Sequence, residues 1–541
     1  MSDITEKVSS ILAKVSSKYR GPGGAVAVLK DGEVVGKQAW GFADLHARTP
    51  MTTETVLPIC SITKQMVCGL LTDLRRNPTE EMRARGVDAD KQLSDELAKI
   101  THPKVLEQGL TLDHLANNQS GVRDYWALTV LWGAKPEGKF SIVEHGPKML
   151  ERIKSLHFET GTQYSYSNTN FFIIGTVIEN VTGRTLKDLI QERVFGPAGM
   201  KTAYLYVDTA TLPGPCVGYE GDEQFGHWPG VNRIEWAGDA GSAASLEDMI
   251  NFEKYVHANR DNADSWYSHN SVQQKHKNGE PANYGYGLSH ETIGGVKAIG
   301  HGGALRGYRL NRIYAPDSAI SVVAMLNEEH AKAGDVTDDI LKEILGIPEA
   351  KSEPMTPSEK WYGTYIDPKS QLSVVVTKDT KPGKIKLKYH RKGLSYKVVE
   401  EAKATNGTKT ATLDGDTLRL HVLDDNYTVV AQRVSDKTKD AKPDFSADLI
   451  GEYYSEEIDS TVALYGTGSM IYVGFEGFFG KGPLHFARPI GDDVWAMACP
   501  RGMDSSPPGD WTIIVRRDGD KVTGLTIGCW LARKIEYVKK Q

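Results

Sequence analysis

The sequence changes texture once, near residue 348, and that change restricts the folds open to the chain. Before it, apolar residues recur at helical spacing between strand-like runs. Beyond it come short alternating runs such as Leu372–Val376, Lys384–Tyr389 and Tyr427–Val430, separated by Gly, Asn and Asp. This is the pattern of an all-β sandwich or barrel. The join, Ile347–Pro357 (IPEAKSEPMTP), has the Pro, Glu, Ser and Lys content of a solvated linker. The β-rich part also echoes itself. Gly363-Thr364-Tyr365 opens a segment running to Val374, and Gly451-Glu452-Tyr453 opens one running gap-free to Val462 with the same punctuation. A second linker-like stretch, Asp436–Phe445 (DKTKDAKPDF), separates the copies. The expected organisation is a mixed helix and strand domain over 1–346, a linker at 347–357, and two similar β domains at 358–436 and 446–541.

The first domain reads as a sheet covered by helices. Residues 3–20 repeat apolar positions every three or four residues, as an amphipathic helix does. Ala25–Leu29 and Val34–Trp40 then flank Asp31-Gly32, a dipeptide suited to a tight hairpin. With 541 residues and a net charge of −6, the chain is long enough for several cores, and it offers no basic surface for nucleic acid or a membrane. No run approaches the ~20 apolar residues of a membrane-spanning helix, and the first residues lack the apolar centre of a secretory signal. The five cysteines, Cys60, Cys68, Cys216, Cys499 and Cys529, have no metal-ligand spacing. They fit free thiols in a reducing compartment. The expectation is a cytoplasmic protein that handles a small partner and needs no metal or other cofactor.

Three motifs carry chemistry. The stretch PICSITKQM places Ser61 and Lys64 three residues apart at a helix start, with Met66, Val67, Leu70, Leu71 and Leu74 spaced as a buried face behind them. Serine is a poor nucleophile until a neighbour takes its proton, and residues i and i+3 share a helix face. A Ser cap beside a solvated lysine fits the same letters. Tyr166-Ser167-Asn168 follows a polar loop and precedes the apolar run Phe172–Ile178. A tyrosine there can exchange a proton with a serine hydroxyl, and an asparagine offers both a donor and an acceptor. Equally, Asn168 can cap the helix while Tyr166 packs. His301-Gly302-Gly303-Ala304 lies between two strand-like runs. Its glycines admit close backbone approach, and the Ala304 N–H with that of Ser61 could form an oxyanion hole. Alone, it reads equally as a hairpin turn with an incidental histidine.

Ser-x-x-Lys, then Tyr-x-Asn, then His-x-Gly, in that order, resembles the serine β-lactamase and penicillin-binding protein superfamily, in its class C version. LTLDHLANNQSGV (110–122) and AGDAGSAASLEDM (237–249) resemble connecting phrases of that branch. GPGGAVAVLKDGEVV, KQAWGFADL, QSGVRDYWAL, GHGGALRGYR and GCWLARKIEY extend the likeness to its D-aminopeptidase members. The resemblance implies an α/β (α+β) penicillin-recognising catalytic domain with a helix-covered antiparallel sheet, followed by two antiparallel β-barrels. It implies Ser61 as nucleophile, Lys64 and Tyr166 as proton-transfer groups, and His301 in place of the usual third-motif lysine. Asn168, Gly303 and Ala304 would contact substrate. A neutral histidine offers no fixed cation to a carboxylate, which favours amide, ester or N-terminal peptide substrates.

In those relatives a loop of the last barrel enters the cleft with an acidic side chain that holds the substrate's amine. The matching stretch is Glu476–Phe486, EGFFGKGPLHF, with Gly480, Lys481 and Gly482 and with Pro483 at the acid's place; Ser289 stands where an asparagine assists. The expected function is a serine hydrolase working through an acyl-enzyme, a D-stereospecific aminopeptidase or amidase on small peptides, amides or esters. β-Lactams are candidate inhibitors, and the resemblance implies a homodimer. The alternatives are an esterase, a β-lactam hydrolase or an N-blocked D-amino-acid amidase on the same fold, and a non-catalytic penicillin-binding scaffold.

Overall fold

The computed structural model describes residues 2–348, 355–389, 393–435, 447–467, 470–498, 502–503 and 510–541. Cys499, the centre of the first linker (349–354) and all of Asp436–Phe445 lie outside the described residues.

The first domain is built on an eight-stranded antiparallel sheet. Its strand order is Thr49–Pro50, Glu33–Asp44, Gly23–Lys30, Ile320–Leu326, Tyr308–Ala315, Val296–Leu305, Leu288–Ile293 and Tyr284–Gly285. Asp31 and Gly32 both take positive φ, 52° and 78°, the geometry that a two-residue hairpin needs to match strand twist. Side-chain alternation along Gly23–Lys30 sends Val26 and Val28 to one face, against Val8, Ile11 and Leu12 of the helix Ser2–Lys18 and Val336 and Ile340 of the helix Ala333–Leu345. Ala25, Ala27 and Leu29 go to the other face, in the core that holds Met66, Val67, Leu70 and Leu71 of the helix Thr63–Arg76. Both faces are therefore dry, which is why this strand reads as a continuous apolar run.

Register leaves one useful edge. Tyr308–Ala315 pairs with its neighbour from Ile299 to Leu305, whereas Leu288–Ile293 covers only Val296 to Gly300. His301–Leu305 is thus a strand edge on that side among the described residues. The residue opposite His301 is Arg312, a buried guanidinium held by both carboxylate oxygens of Glu253 at 2.6 and 2.7 Å. A buried charge stripped of its partner costs about 3–5 kcal/mol, so the pair ties the strand beside His301 to the helix Leu246–Asn259.

Each half of the β-rich part is a closed eight-stranded antiparallel barrel, the first from Gly363 to Arg433 and the second from Gly451 to Lys539. The internal echo has a structural counterpart. Tyr365 pairs with Val374 and Tyr453 with Val462, and each tyrosine hydroxyl donates to a carbonyl four residues back, Trp361 O at 3.1 Å and Leu449 O at 2.7 Å.

Both barrels dock on the first domain. The second receives Trp132 Nε1–H at Ile458 O (2.9 Å), Arg123 at Glu457 (2.7 Å) and the Asp124 amide at Leu531 O (3.1 Å). The first barrel accepts the Tyr164 amide at Asp425 O (3.0 Å), and its Asn426 side chain donates to Thr162 O (2.9 Å).

Candidate active site

Four polar side chains meet where the helix Thr63–Arg76, the helix Asn168–Thr182 and the His301 strand converge. Ser61 lies in a 3-10 turn, Cys60–Ile62, that leads directly into the Lys64 helix. Cys60 just before it has φ +53°, a left-handed conformation that costs a non-glycine residue free energy and persists only where neighbours enforce it. One neighbour is Gly303. A Cβ on it would come within 2.4 Å of Ile59 O, so the His301 strand can lie against the serine turn only because glycine stands there.

Lys64, fully buried, donates to three acceptors: Asp239 O at 2.6 Å, Asn168 Oδ1 at 2.8 Å and Ser61 Oγ at 3.0 Å. The first two are carbonyl oxygens and only accept. They fix two N–H bonds and leave the third position of the nitrogen facing Ser61, a hydrogen in the ammonium form and a lone pair in the amine form. Tyr166 O–H donates to Ser61 Oγ from another side at 2.8 Å. The Lys64 nitrogen also sits 4.9 Å from the centre of the Tyr166 ring. Ser61 and Tyr166 are partly exposed and open into a cleft of about 610 Å³ that Asn168, His301, Gly303 and Ala304 also line.

Asn168 does not cap its helix. Its backbone N–H and its Nδ2–H both reach Asp124 Oδ2 at 2.7 Å, which fixes the amide so that Oδ1 faces Lys64. Asp124 is itself the N-cap of the helix Tyr125–Leu131, accepting from the Ala127 amide at 3.2 Å. Burial raises its carboxyl above the usual range, against the hydrogen bonds from Asn168. On the opposite side Tyr125 O–H donates to Asp239 Oδ2 at 2.9 Å. Burial and the nearby Asp239 carboxylate raise that phenol well above its ordinary value, so it remains a donor.

His301 is held as a neutral ring. Its Nδ1 lies 2.6 Å from Gly302 O, an acceptor only, so Nδ1 carries the hydrogen. Nε2 then accepts from the Tyr284 hydroxyl at 2.9 Å. Burial, followed by the charge of Lys64, pushes its pKa from 6.5 down to about 3.

Several residues expected to select substrate lie elsewhere. Gly480, Lys481, Gly482 and Pro483 do not line the cleft. Their hairpin inserts its two phenylalanines into the first domain, with the Phe478 ring 4.9 Å from Trp132, the Phe479 ring 4.6 Å from His145, and the Phe479 amide donating to Trp132 O at 3.2 Å. Burying two aromatic side chains outweighs extending a glycine-rich tip into water. Ser289 is turned onto its own sheet, donating to Gly300 O at 2.9 Å. The second barrel instead supplies Trp530, which lines the cleft with Trp126, Tyr164, Ile234 and Trp236. Asp124 had a local signal, an aspartate directly before an apolar run. Trp530 had none, because only the tertiary fold brings the last hairpin here.

The β-lactamase family model matches residues 8–346, and the model described as D-aminopeptidase, domain B matches residues 354–538. The chain is 40% identical over 538 residues to a D-aminopeptidase of Brucella anthropi, covering 99% of each chain. It belongs to the D-aminopeptidase family. A second member, from Brucella melitensis biotype 2, is 41% identical over 524 residues, covering 97% of this chain and 96% of that one. Among solved structures, a D-amino acid amidase from Ochrobactrum anthropi SV3 superposes with a TM-score of 0.51 at 20% identity, covering 64% of this chain and 99% of that chain. An octameric penicillin-binding protein homologue from Pyrococcus abyssi gives 0.52 at 20% identity, covering 79% and 99%. Both share the fold. Family membership makes the chain a hydrolase of the serine β-lactamase-like class.

Two measurements follow. Asparagine caps helices as well as aspartate, so Asp124→Asn should keep the Ala127 cap while facing the Asn168 donors with an amide N–H, at a cost of about 1–3 kcal/mol in stability. We expect kcat to fall about ten-fold or more, since small displacements of catalytic groups are costly, with KM changing much less; an unchanged kcat would contradict the positioning role. The second concerns pH. With a folded pKa depressed to about 3, His301 binds a proton more readily unfolded. Its contribution to stability is complete above about pH 6.5 and is lost as pH falls toward 3, by up to about 1.4 kcal/mol per pH unit. The kcat/KM profile should show no His301 ionisation between about pH 5 and 8. An inflection near 6.5 that vanishes in His301→Gln would contradict it.

Proposed function

We propose that the protein is a D-stereospecific aminopeptidase or amidase that works through an acyl-enzyme on Ser61. The observation that carries this reading is the placement of Ser61 Oγ, within hydrogen-bonding distance of both Lys64 Nζ and Tyr166 O–H at the floor of an open cleft. Ser61 attacks the amide carbonyl as its proton passes toward Lys64 or Tyr166, and the backbone N–H groups of Ser61 and Ala304 would receive the oxyanion. The departing amine takes a proton from the same pair, and water then releases the free acid.

The cleft walls agree with a substrate that lacks a carboxylate near the scissile bond. His301 is neutral, Arg309 is engaged by Glu329 at 2.7 Å, and Lys332 faces Asp335 at 3.6 Å. Preference for the D-configuration and for a free α-amine rests on the family, whose members carry the name D-aminopeptidase. A second reading, N-blocked D-amino-acid amides or esters, has one observation in its favour: no acidic side chain of the 476–486 hairpin lines the cleft. β-Lactams, which present a strained amide to the same serine, belong with it as inhibitors.

The reading also places the enzyme in the cytoplasm as a homodimer. Cys60, Cys68 and Cys216 are free thiols, and Tyr465, Leu484 and Phe486 form an exposed apolar face on the second barrel.

The test is a steady-state panel of D- and L-alanine amide, free and N-acetylated, with wild type and Ser61→Ala. We expect hydrolysis of the D-amide with a free amine, little of the L-amide, and a loss on the order of 10⁴-fold or more in Ser61→Ala. Faster turnover of the acetylated D-amide would favour the second reading; undiminished turnover by Ser61→Ala would overturn both.

A further inference from the structure

Two sets of aromatic side chains line the cleft, Trp126 with Trp236 and Tyr164 with Trp530. Trp126 and Trp236 each adjoin, along the chain, a residue that holds Asp239. Trp126 follows Tyr125, whose hydroxyl reaches Asp239, and the Ala237 amide next to Trp236 donates to Asp239 Oδ1 at 3.0 Å. Tyr164 and Trp530 stand on the side of Tyr166. The Tyr164 and Trp530 rings are 6.2 Å apart, Tyr164 is 5.4 Å from Tyr284, and Tyr284 is 6.4 Å from Tyr166.

Of the two groups able to give a proton to the departing amine, Lys64 is fully buried while Tyr166 is partly exposed in the cleft. The leaving group must be in contact with its donor, and therefore departs on the Tyr166 side, along Tyr164 and Trp530.

Trp530 is fixed there by two other units of the protein. Its Nε1–H donates to Asp425 Oδ2 of the first barrel at 2.9 Å, and the backbone carbonyl of that same Asp425 accepts the Tyr164 amide at 3.0 Å. The carbonyl of the next residue, Leu531, accepts the Asp124 amide of the first domain at 3.1 Å. The indole packs against both the first barrel's core and the core shared by the first domain and second barrel, yet part of it remains exposed in the cleft. A ring so held keeps an apolar face ready at no further ordering cost.

We propose that Trp530, held by Asp425 and paired with Tyr164, forms the leaving-group subsite, and that it selects substrates whose scissile bond leads to an aromatic or large apolar group over simple amides. The proposal rests on the acyl-enzyme reading above. It implies that Trp530 acts in acylation alone, because the leaving group is gone before water attacks. D-alanine p-nitroanilide and D-alanine amide give the same D-alanyl-Ser61 intermediate and differ in the leaving group alone, both in its intrinsic reactivity and in its contact with Trp530.

The experiment compares kcat/KM for D-alanine p-nitroanilide, D-alanine amide and D-phenylalanine amide in wild type, Trp530→Ala, Trp530→Phe and Asp425→Ala. Trp530→Leu replaces Trp530→Ala if the smaller side chain does not fold. Comparing ratios across variants cancels the intrinsic reactivity of each substrate. In Trp530→Ala the ratio of anilide to D-alanine amide should fall about ten-fold or more, while the ratio of D-phenylalanine amide to D-alanine amide stays within about two-fold of wild type. Asp425→Ala should move the first ratio the same way, and Trp530→Phe should largely restore it. An unchanged first ratio, or a fall in the second ratio instead, overturns the proposal. Failure of wild type to turn over any of the three would overturn the free-amine reading on which the proposal rests, a different result from hydrolysis without Trp530 dependence.

Discussion

The site turns on one buried nitrogen. Lys64 Nζ is gripped by two oxygens that can only accept, Asp239 O and Asn168 Oδ1, and its remaining valence is aimed at Ser61 Oγ. Nothing in the Ser-x-x-Lys spacing alone creates that arrangement. It requires Asp124 to turn the Asn168 amide, Tyr125 to hold the Asp239 carboxylate, and Gly303 to let the His301 strand lie against the serine turn. Burying a lysine is costly unless its hydrogen bonds are met, and here each of them is met by a group with its own support.

The barrels are part of this support. The Asp124 amide is bonded to Leu531 O of the second barrel, so the line from Leu531 through Asp124, Asn168 and Lys64 to Ser61 crosses from one unit into another. The first barrel reaches the cleft through Asp425, which touches Tyr164 from the first domain and Trp530 from the second barrel. A site assembled from three units is pre-organised only when all three are docked. This gives a physical reason for one chain to carry two barrels beside a hydrolase domain.

Much of this was legible in the sequence, for reasons that differ by residue. The buried face Met66, Val67, Leu70, Leu71 and Leu74 follows from helical period, and the hairpin at Asp31-Gly32 from turn chemistry, because both are local. The echo of Gly363-Thr364-Tyr365 in Gly451-Glu452-Tyr453 marks two closed barrels because the same tyrosine bond recurs in each. The order of the three motifs points to the family. The specificity side was not legible. The resemblance sends Glu476–Phe486 into the cleft, but Phe478 and Phe479 anchor it against Trp132 and His145, and those contacts are tertiary. Trp530 enters the cleft from the far end of the chain, where neither spacing nor period records its neighbours.

Acylation of Ser61 by a D-residue is the step we propose for this site. The most direct measurement is rapid acid quench of the enzyme mixed with excess D-alanine methyl ester, followed by mass spectrometry of the peptide containing Ser61. A D-alanyl adduct on Ser61 should appear within the first turnover, be absent in Ser61→Ala, and be far weaker with the L-ester. Turnover of the D-ester with no adduct at Ser61 in quenched samples, or an equal adduct from both enantiomers, would contradict it.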